Sequence, residues 1–331
     1  MATSERSRRY TLSCLVDPYR DGWTLRAFLS HRFRYHPPAI WDERLEEGAV
    51  RVNGTRAGGE RVVAVGDRVS YSLVHAEPEV DFRYTTLHED DDCLAVCKSG
   101  NLPVHAGGRY IKNTLIAHLR ESHGLELRLA HRLDRETSGI VLLAKTRAAA
   151  VHFEREFHSG RVVKKYQAVL RGLLPHEATV DAPIGRAPLD DPDPPRWRVM
   201  DLPVGKASRT VFRRLVTAET DQGPCTLALA IPESGRTNQI RIHAAHIGHP
   251  ILGDKMHAVS IELVRAYFRD GETPELLAAA GAHRHLLHAA ELSIAHPRDG
   301  RLLELQAPLP GDFELSWTAL KAPSFEKDDV P

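Results

Sequence analysis

The sequence lacks the features that mark secreted and membrane-spanning proteins. It has four cysteines, Cys14, Cys93, Cys97 and Cys225, whose spacing forms no disulfide framework. No apolar run approaches the ~20 residues of a transmembrane helix, and the arginines near the N-terminus are not followed by the apolar stretch of a signal peptide. These absences predict reduced thiols, no membrane span and a cytoplasmic location.

The chain also lacks an excess of charge of either sign. Its 44 lysines and arginines balance 44 aspartates and glutamates. A formal charge of zero excludes a nucleic-acid-binding protein whose whole surface is basic. Only local basic patches can then attract nucleic acid electrostatically. One such patch lies between Arg6 and Arg34, where arginines outnumber acidic residues.

Cofactor motifs are missing as well. The sequence has no glycine-rich phosphate loop and no dinucleotide-binding motif, so no nucleotide or redox cofactor is predicted. Two close groups of histidines are His243, His246, His249 and His283, His285, His288. Neither group has a carboxylate or thiolate companion at ligand spacing, so the sequence predicts no metal site.

The length of the chain and a polar break in its sequence predict a small domain followed by a large one. At 331 residues the chain exceeds the usual size of a single domain, and 42% apolar residues can build a sizeable core. The polar break Glu77-Pro78-Glu79 marks the boundary. The expected parts are a basic leader at 1–20, a small αβ domain at 21–77, the main domain at 78–320 and an acidic tail at 321–331.

The small domain is predicted to contain two helices and a hairpin. The first helix spans Thr24 to Phe33, and the second ends at Gly48, a residue expected just past a helix C-terminus. Alternating valines then lead to Asn53-Gly54, the strongest short hairpin signal. This order resembles the S4-like RNA-binding module, although the Arg-Leu-Asp that usually opens that module is reduced here to Thr24-Leu25-Arg26.

The resemblance implies that the small domain grips RNA backbone. The arginines that suit phosphate contacts are Arg20, Arg26, Arg32, Arg34 and Arg44. A plain αβ cap without RNA contact stays open as the alternative.

The main domain is organised around the nine residues from His131 to Gly139. An alternating segment that ends at Leu129 predicts a half-buried strand before them, and the apolar run Ile140 to Ala144 predicts a core strand after them. Asp134 is therefore expected on a turn between two core strands, which would fix its carboxylate rigidly. The arginines at 132 and 135 favour the charged form, which suits a nucleophile or a base.

This run, His-Arg-Leu-Asp-Arg-Glu-Thr-Ser-Gly, resembles the catalytic motif of the RluA family of RNA pseudouridine synthases. The resemblance implies that Asp134 is the essential catalytic residue. It also implies an α+β fold, in which the catalytic domain is built on a mixed, mostly antiparallel sheet with flanking helices.

Three further segments are similar to motifs of the same family. Lys98 to His105 resembles the first motif, with Ser99 in place of its proline. Lys164 to Ala168 resembles the second, in which Tyr166 would lie against the target base. Ser234 to His243 resembles the third, in which Arg236 would pair with the catalytic aspartate. The expected substrate contacts are Arg132, which would fill the space left by the base, the apolar wall Ile231, and Lys98 and Thr137.

The reaction implied is the isomerisation of uridine to pseudouridine, which breaks the N1–C1′ bond and joins C5 to C1′. It needs no cofactor, and the base must be flipped out of its stack to reach the pocket. Asp134 would attack C1′ or remove the C2′ proton, two routes that stay open. A monomer is expected.

The favoured substrate is 23S ribosomal RNA, because an appended RNA-binding module is common among family members that act on it. Transfer RNA is the runner-up, since His105-x-x-Gly108-Arg109-Tyr110 resembles members acting on tRNA. Two other classes stay open. One is a non-catalytic RNA-binding or ribosome-assembly factor, and the other is a hydrolase with Glu136 as its second carboxylate.

Overall fold

The computed structural model describes residues 8–33, 36–123, 126–188, 191, 197–220 and 222–321. The chain divides into two compact units. The first comprises Met1–Glu79 and Ala106–Asn113, and the second comprises Val80–His105 and Thr114–Pro331. The first unit thus takes an eight-residue segment that the sequence-based division assigned to the main domain. The predicted acidic tail lies outside the described residues from position 322 onward.

The first unit is a four-stranded antiparallel sheet with two helices. Its elements are β1 (Arg8–Leu15), a 3₁₀ turn (Pro18–Arg20), α1 (Leu25–Arg32), α2 (Pro38–Glu46), β2 (Val50–Val52), β3 (Thr55–Arg56) and β4 (Arg68–His75). The strand order is β1-β4-β2-β3. Thr24 caps α1 by accepting the N–H of Ala27. Asn53 (φ 50°) and Gly54 (φ 83°) form the predicted hairpin turn, which is confirmed.

The prediction of a leader up to residue 20 is wrong for β1, which pairs with β4 along its whole length. Tyr10, Leu12 and Cys14 alternate along β1 and pack onto the core around Phe28 and Trp41. Side chains of a strand alternate between its two faces, so this period of two is what buries one side of β1. The flanking arginines concealed that pattern in the sequence.

Glu77 holds the segment Ala106–Asn113 in the first unit. Its carboxylate accepts the backbone N–H groups of Ile111 (2.6 Å), Lys112 (3.0 Å) and Asn113 (2.9 Å). Burial by itself would raise the pKa of Glu77, but these hydrogen bonds together with one from Tyr10 lower it. A buried carboxylate that accepts several N–H groups is a strong anchor, which explains why this loop folds with the smaller unit.

The second unit is larger. Its first elements are β5 (Tyr84–Glu89), β6 (Cys93–Lys98), α3 (Leu115–His123), β7 (Arg128–Leu129), β8 (Ser138–Ala144), α4 (Arg147–Ser159), β9 (Val163–Arg171), β10 (Glu177–Asp181), β11 (Ile184–Arg186) and β12 (Trp197–Val199). They are followed by β13 (Arg209–Ala218), β14 (Cys225–Pro232), α5 (Gln239–His246), α6 (Ile261–Asp270), α7 (Pro274–Ala280), β15 (Leu287–Ala295), β16 (Leu302–Gln306) and α8 (Gly311–Lys321).

A ten-stranded mixed sheet forms the centre of this unit. Its main order is β10-β13-β14-β9-β15-β8-β6-β5, with β16 beside β15 and β7 beside β8. Strands β8 and β15 run parallel, while the neighbouring pairs run antiparallel. The α+β class and the mostly antiparallel sheet predicted from the sequence are confirmed. Within the described residues, no helix is both long and apolar enough to cross a membrane.

Strand β8 is buried on both faces. Ile140 and Leu142 pack with Phe153 of α4 on one side, whereas Val141 and Leu143 pack with Leu119 of α3 on the other. All seven residues of β8 are buried as a result, which is why its sequence is a continuous apolar run rather than an alternating one. The strand that follows the predicted catalytic turn is therefore embedded in the core along its whole length.

Gly139 permits the close approach of β8 to β15. Its φ of 110° is one that other residues rarely adopt, and a Cβ at this position would lie 2.2 Å from the carbonyl oxygen of Ala289. The glycine that ends the nine-residue run thus lets the two parallel strands meet beside it.

Candidate active site

Asp134 lies on the loop between β7 and β8. The strand before it is shorter than predicted, because β7 contains Arg128 and Leu129 alone, and Leu125 is outside the described residues. The N–H of Thr137 donates to the carbonyl oxygen of Asp134 (3.2 Å) and closes a turn. The Asp134 side chain is 34% exposed. Its carboxylate is therefore held on a tight turn, yet it stays open to a substrate.

Buried cations support the loop from behind. Lys98 Nζ donates to the carbonyl oxygen of Arg135 (3.0 Å), and Arg284 Nη1 donates to that of Glu136 (3.0 Å). The N–H of Leu102 also donates to the Arg135 carbonyl (3.2 Å). These contacts fix the backbone on the C-terminal side of Asp134, so the loop cannot shift without leaving buried donors unsatisfied.

The expected role of Lys98 as a substrate contact does not agree with its position. Lys98 is 1% exposed, and it lines a separate cavity together with Asn101 and Arg284. Burial, helped by the nearby charge of Arg284, lowers the pKa of Lys98 to about 7. Lys98 is the last residue of β6, and its side chain faces the interior of the protein. Its role is thus to hold the loop that carries Asp134, by donating to the Arg135 carbonyl.

His131 fastens the other end of the loop. Its Nε2 atom accepts the N–H of Leu142 (3.1 Å), and its ring lies 5.1 Å from that of Phe157. Desolvation, assisted by the charge of Lys164, lowers the pKa of His131 to about 4. The imidazole is therefore neutral at physiological pH, which the hydrogen bond requires because a protonated ring has no acceptor.

Arg241 is the arginine that pairs with Asp134. Its Nη1 donates to Asp134 Oδ2 (2.9 Å), while its Nε and Nη2 grip both oxygens of Asp254 (2.7 Å each). The side chains of Arg241 and Asp254 are 7% and 0% exposed. Although burial alone would lower it, Asp254 and Asp134 raise the pKa of Arg241. The guanidinium is thus permanently charged and has one fixed orientation toward Asp134.

The predicted pairing of Arg236 with Asp134 is wrong. Arg236 is exposed, and its guanidinium donates from Nε and Nη2 to the carbonyl oxygen of Ala207 (3.3 Å each). Arg236 precedes α5, whereas Arg241 lies in the first turn of that helix and projects inward. The sequence did carry a signal for Arg241, because a charged residue between Ile240 and Ile242 in a helix needs a buried partner.

Gln239 fixes the start of α5. Its Oε1 accepts from the hydroxyl of Ser234 (2.7 Å) and from the N–H of Arg236 (3.0 Å), and its Nε2 donates to Thr210 Oγ1 (3.0 Å). Asn238 opens the helix at φ 54°, a conformation that asparagine tolerates better than most residues. The asparagine at this position therefore suits the turn that begins the helix.

Asp134 faces a cavity of about 670 Å³, a size typical of ligand pockets. Its lining includes Arg132, Asp134, Thr137, Lys164, Tyr166, Pro232, Arg236, Ile240, Arg241 and Leu287. The three residues predicted to be catalytic, Asp134, Tyr166 and Arg236, therefore share one cavity. Desolvation and the charge of Asp134 raise the pKa of Tyr166, so its hydroxyl stays protonated.

The predicted substrate contacts Ile231 and Thr137 differ in their position relative to the cavity. Ile231 does not line the cavity, and this expectation is wrong. It lies on β14 between Ala230 and Pro232, and Pro232 is the residue that reaches the cavity because neighbouring side chains of a strand point to opposite faces. Thr137 does line the cavity, but its hydroxyl forms a hydrogen bond with His285 Nε2 (2.8 Å).

The arginines predicted to bind RNA lie in the first unit in different settings. Arg20 pairs with Asp17, and Arg26 pairs with Asp42. Arg44 lies over the Trp41 ring and donates to the carbonyl of Ser72. Arg32 is exposed, and among the described residues it has no carboxylate partner. Arg34 is outside the described residues. Of the four that can be placed, Arg32 is the most available to a phosphate.

One histidine of each group, His243 and His288, illustrates how these side chains are bonded within the protein. His243 bonds Thr210 Oγ1 and the Ala182 carbonyl (2.9 Å each), which occupies both ring nitrogens. His288 bonds the hydroxyl of Ser138 (3.0 Å). These hydrogen bonds give His243 and His288 structural roles in the fold.

Comparison with known proteins decides the family. A family model described as RNA pseudouridylate synthase matches residues 92–246. Ribosomal large subunit pseudouridine synthase D of Haemophilus influenzae is 31% identical over 331 residues, which cover 96% of this chain and 98% of that protein. This chain belongs to the RNA pseudouridylate synthase family. The synthase is therefore an isomerase that acts on uridine in RNA, as the sequence motifs predicted.

Two further similarities agree with this assignment. Ribosomal large subunit pseudouridine synthase C of Vibrio cholerae is 30% identical to the synthase, with 92% of this chain and 96% of that protein covered. The solved structure of human RNA pseudouridylate synthase domain containing 1 has a TM-score of 0.55 and 27% identity, and it covers 71% of this chain and 86% of that one. The sequence similarity and the structural similarity thus support the same family independently.

Proposed function

We propose that this synthase isomerises uridines of large-subunit ribosomal RNA and that Asp134 is its essential catalytic group. The proposal rests on one arrangement, in which Asp254, Arg241 and Asp134 form a connected chain of ion pairs that ends in a cavity. The choice of RNA is supported by the relatives named ribosomal large subunit pseudouridine synthase, which align over nearly the whole chain. A ribosomal RNA substrate also favours the cytoplasmic location expected from the sequence.

Arg241 would keep Asp134 ionised and oriented. It binds the Oδ2 oxygen, and among the described residues Oδ1 accepts no hydrogen bond, so that oxygen keeps its lone pairs for the ribose. Either attack on C1′ or removal of the C2′ proton uses an ionised carboxylate at a fixed position. Because Asp254 already holds Arg241 rigidly, no reorganisation of the guanidinium is needed when the reaction begins.

Tyr166 would orient the flipped uracil. It lies on β9 directly opposite Ala230, and its ring is one wall of the cavity. Since its hydroxyl stays protonated, it suits a group that holds the base by packing and hydrogen bonding better than a phenolate base. Its place beside Asp134 would set the uracil over the ribose carbon to which C5 must be joined.

Cations at the rim of the cavity would bind phosphates. Arg132 and Arg236 are both exposed, and each is anchored at one edge of its guanidinium, Arg132 by His105 (3.2 Å) and Arg236 by the Ala207 carbonyl. Guanidinium groups held in this way lose little entropy when they bind a phosphate. They would position the RNA on either side of the extruded nucleotide.

Mapping of pseudouridine in cells that lack the gene tests the proposal. We expect specific pseudouridines of large-subunit ribosomal RNA to disappear and to return with the wild-type gene but not with Asp134→Asn. Loss of pseudouridine from transfer RNA, with ribosomal RNA unchanged, would overturn the choice of substrate. Restoration by Asp134→Asn would overturn the catalytic role of the aspartate.

A further inference from the structure

Four metal-ligating side chains converge at the edge of the main sheet. His88 lies near the end of β5, Asp90 in the following turn, Cys93 at the start of β6 and His296 just after β15. One ligand atom from each of them lies within 4.8 Å of every other. Asp90 and His296 are 206 residues apart in sequence, so the fold alone brings the group together.

Asp90 is the centre of the group. Its Oδ2 accepts from His88 Nε2 and His296 Nε2 (2.8 Å each), and its Oδ1 accepts the N–H groups of Asp92 (2.8 Å) and Cys93 (2.9 Å). The turn thereby fixes the carboxylate, and two imidazoles approach the same oxygen. Tetrahedral metal sites need this convergence of ligand atoms from separate elements on one point.

The chemistry of the four ligands selects the kind of ion. Two imidazole nitrogens, one thiolate and one carboxylate oxygen suit zinc, whereas magnesium and calcium prefer oxygen alone. The negative charges of a thiolate and a carboxylate would balance a divalent cation. Cys93 and His296 are buried, but His88 and Asp90 are partly exposed, which leaves an entry path from solvent.

A second carboxylate is placed to support a metal-bound His296. Asp299 Oδ1 lies 3.3 Å from His296 Nδ1, on the side of the ring opposite the cluster. Without a metal, His296 Nδ1 accepts the N–H of Arg298 (3.3 Å), and His296 Nε2 donates to Asp90. A shift of the ring proton from Nε2 to Nδ1 would free Nε2 for a metal and let Nδ1 donate to Asp299, the usual environment of a metal-bound histidine.

We propose that His88, Asp90, Cys93 and His296 form a structural site for zinc or a similar divalent transition metal. Binding replaces the hydrogen bonds from the two imidazoles to Asp90 with four metal–ligand bonds. The proton of each ring moves from Nε2 to Nδ1, and the Cys93 thiol releases its proton to solvent, so one proton leaves for each ion bound. The ion would tie the turn between β5 and β6 to the end of β15 and stabilise the second unit.

Cobalt(II) is the probe for this proposal because its spectrum reports thiolate ligation and tetrahedral geometry. The full-length protein is stripped with a chelator, titrated with cobalt and then with zinc. We expect one equivalent of tightly bound cobalt, a thiolate-to-cobalt charge-transfer band, displacement of cobalt by zinc and a higher melting temperature with zinc. A folded wild-type protein that shows no charge-transfer band would overturn the proposal, and the four groups would then be a hydrogen-bonded bracket.

Variants identify the ligands. Cys93→Ser should abolish the charge-transfer band, and Asp299→Ala should weaken zinc affinity about 10–100-fold, as loss of an outer carboxylate does in other sites. Cys97→Ser is the matched control, because Cys97 lies on the same strand outside the cluster, and it should keep the band. The same band in Cys93→Ser would overturn the assignment. If Cys93→Ser does not fold, the wild-type spectrum still decides the matter.

Discussion

Arg241 holds Asp134 through one nitrogen while its other two grip Asp254. The carboxylate that we propose as catalytic therefore depends on a buried arginine 107 positions away in sequence and, through it, on the buried carboxylate of Asp254. We therefore expect stability and activity to be coupled here, because the same guanidinium neutralises the buried charge of Asp254 and orients the carboxylate of Asp134.

Replacement of Arg241 should damage both properties. Arg241→Ala leaves Asp254 buried without its partner, and we expect unfolding to become easier by about 3–5 kcal/mol. Arg241→Lys should fold better but lose about 10²-fold or more in turnover, since a point charge cannot grip Asp254 and reach Asp134 together. Chemical denaturation and tritium release from C5-labelled uridine RNA measure the two effects.

Arg236→Ala is the matched control from the same motif. It should leave the free energy of unfolding within about 0.5 kcal/mol of wild type, as surface substitutions do, and act mainly on RNA affinity. A loss of stability equal to that of Arg241→Ala would contradict the assignment of the buried ion pair.

Asp134→Asn should abolish isomerisation while RNA affinity falls little, because phosphate contacts carry most of the binding. The amide still accepts a hydrogen bond from Arg241 but cannot act as a nucleophile or a base. Tritium release and filter binding of the same RNA are compared. Residual activity above about a thousandth of wild type would argue against either role.

Tyr166→Phe should keep RNA affinity and lower turnover by about 10²-fold, the low end of contributions from groups that handle protons. Desolvation and the charge of Asp134 raise the pKa of Tyr166 above the ordinary tyrosine value of about 10. The hydroxyl should therefore stay protonated, and wild-type activity should not rise as the pH approaches that value. Trapping with 5-fluorouridine RNA would show whether the hydroxyl acts late. Unchanged turnover would reduce Tyr166 to a packing role.

His131 should make stability depend on pH. Its pKa is about 4 in the folded protein and about 6.5 when unfolded, so between these values the unfolded chain binds more protons. Its contribution to stability is therefore complete above pH 6.5 and is lost as pH falls toward 4, with a slope of up to about 1.4 kcal/mol per pH unit. The free energy of unfolding is measured against pH for wild type and His131→Gln across this range. The slopes of the two plots should differ by the equivalent of up to one bound proton. Parallel curves would mean that His131 titrates normally.

Arg32 should contribute to RNA binding more than Arg26 does. Arg32 is exposed and has no carboxylate partner among the described residues, whereas Arg26 pairs with Asp42 and lies near Glu60. Arg32→Ala should lower the slope of log affinity against log salt by about one, and Arg26→Ala should change it less. If Arg32→Ala left the slope unchanged, the plain structural cap would be the better account of this surface.

The sequence by itself determined the parts of this protein that depend on neighbours along the chain. The nine residues around Asp134 indicated a turn between core strands, and Asn53-Gly54 indicated a hairpin. Each of these signals is encoded by backbone conformation and local hydrogen bonding, which a few consecutive residues are enough to specify.

The tertiary structure decided which side chains meet. Arg236 and Arg241 stand in one motif, but only the packing of α5 turns Arg241 toward Asp134 and leaves Arg236 at the surface. The pleat of β14 likewise turns Pro232 rather than Ile231 to the cavity. The group around Asp90 joins the turn between β5 and β6 to the end of β15. Contacts of this kind depend on the register of distant strands and on burial, and a local pattern of residues does not contain that information.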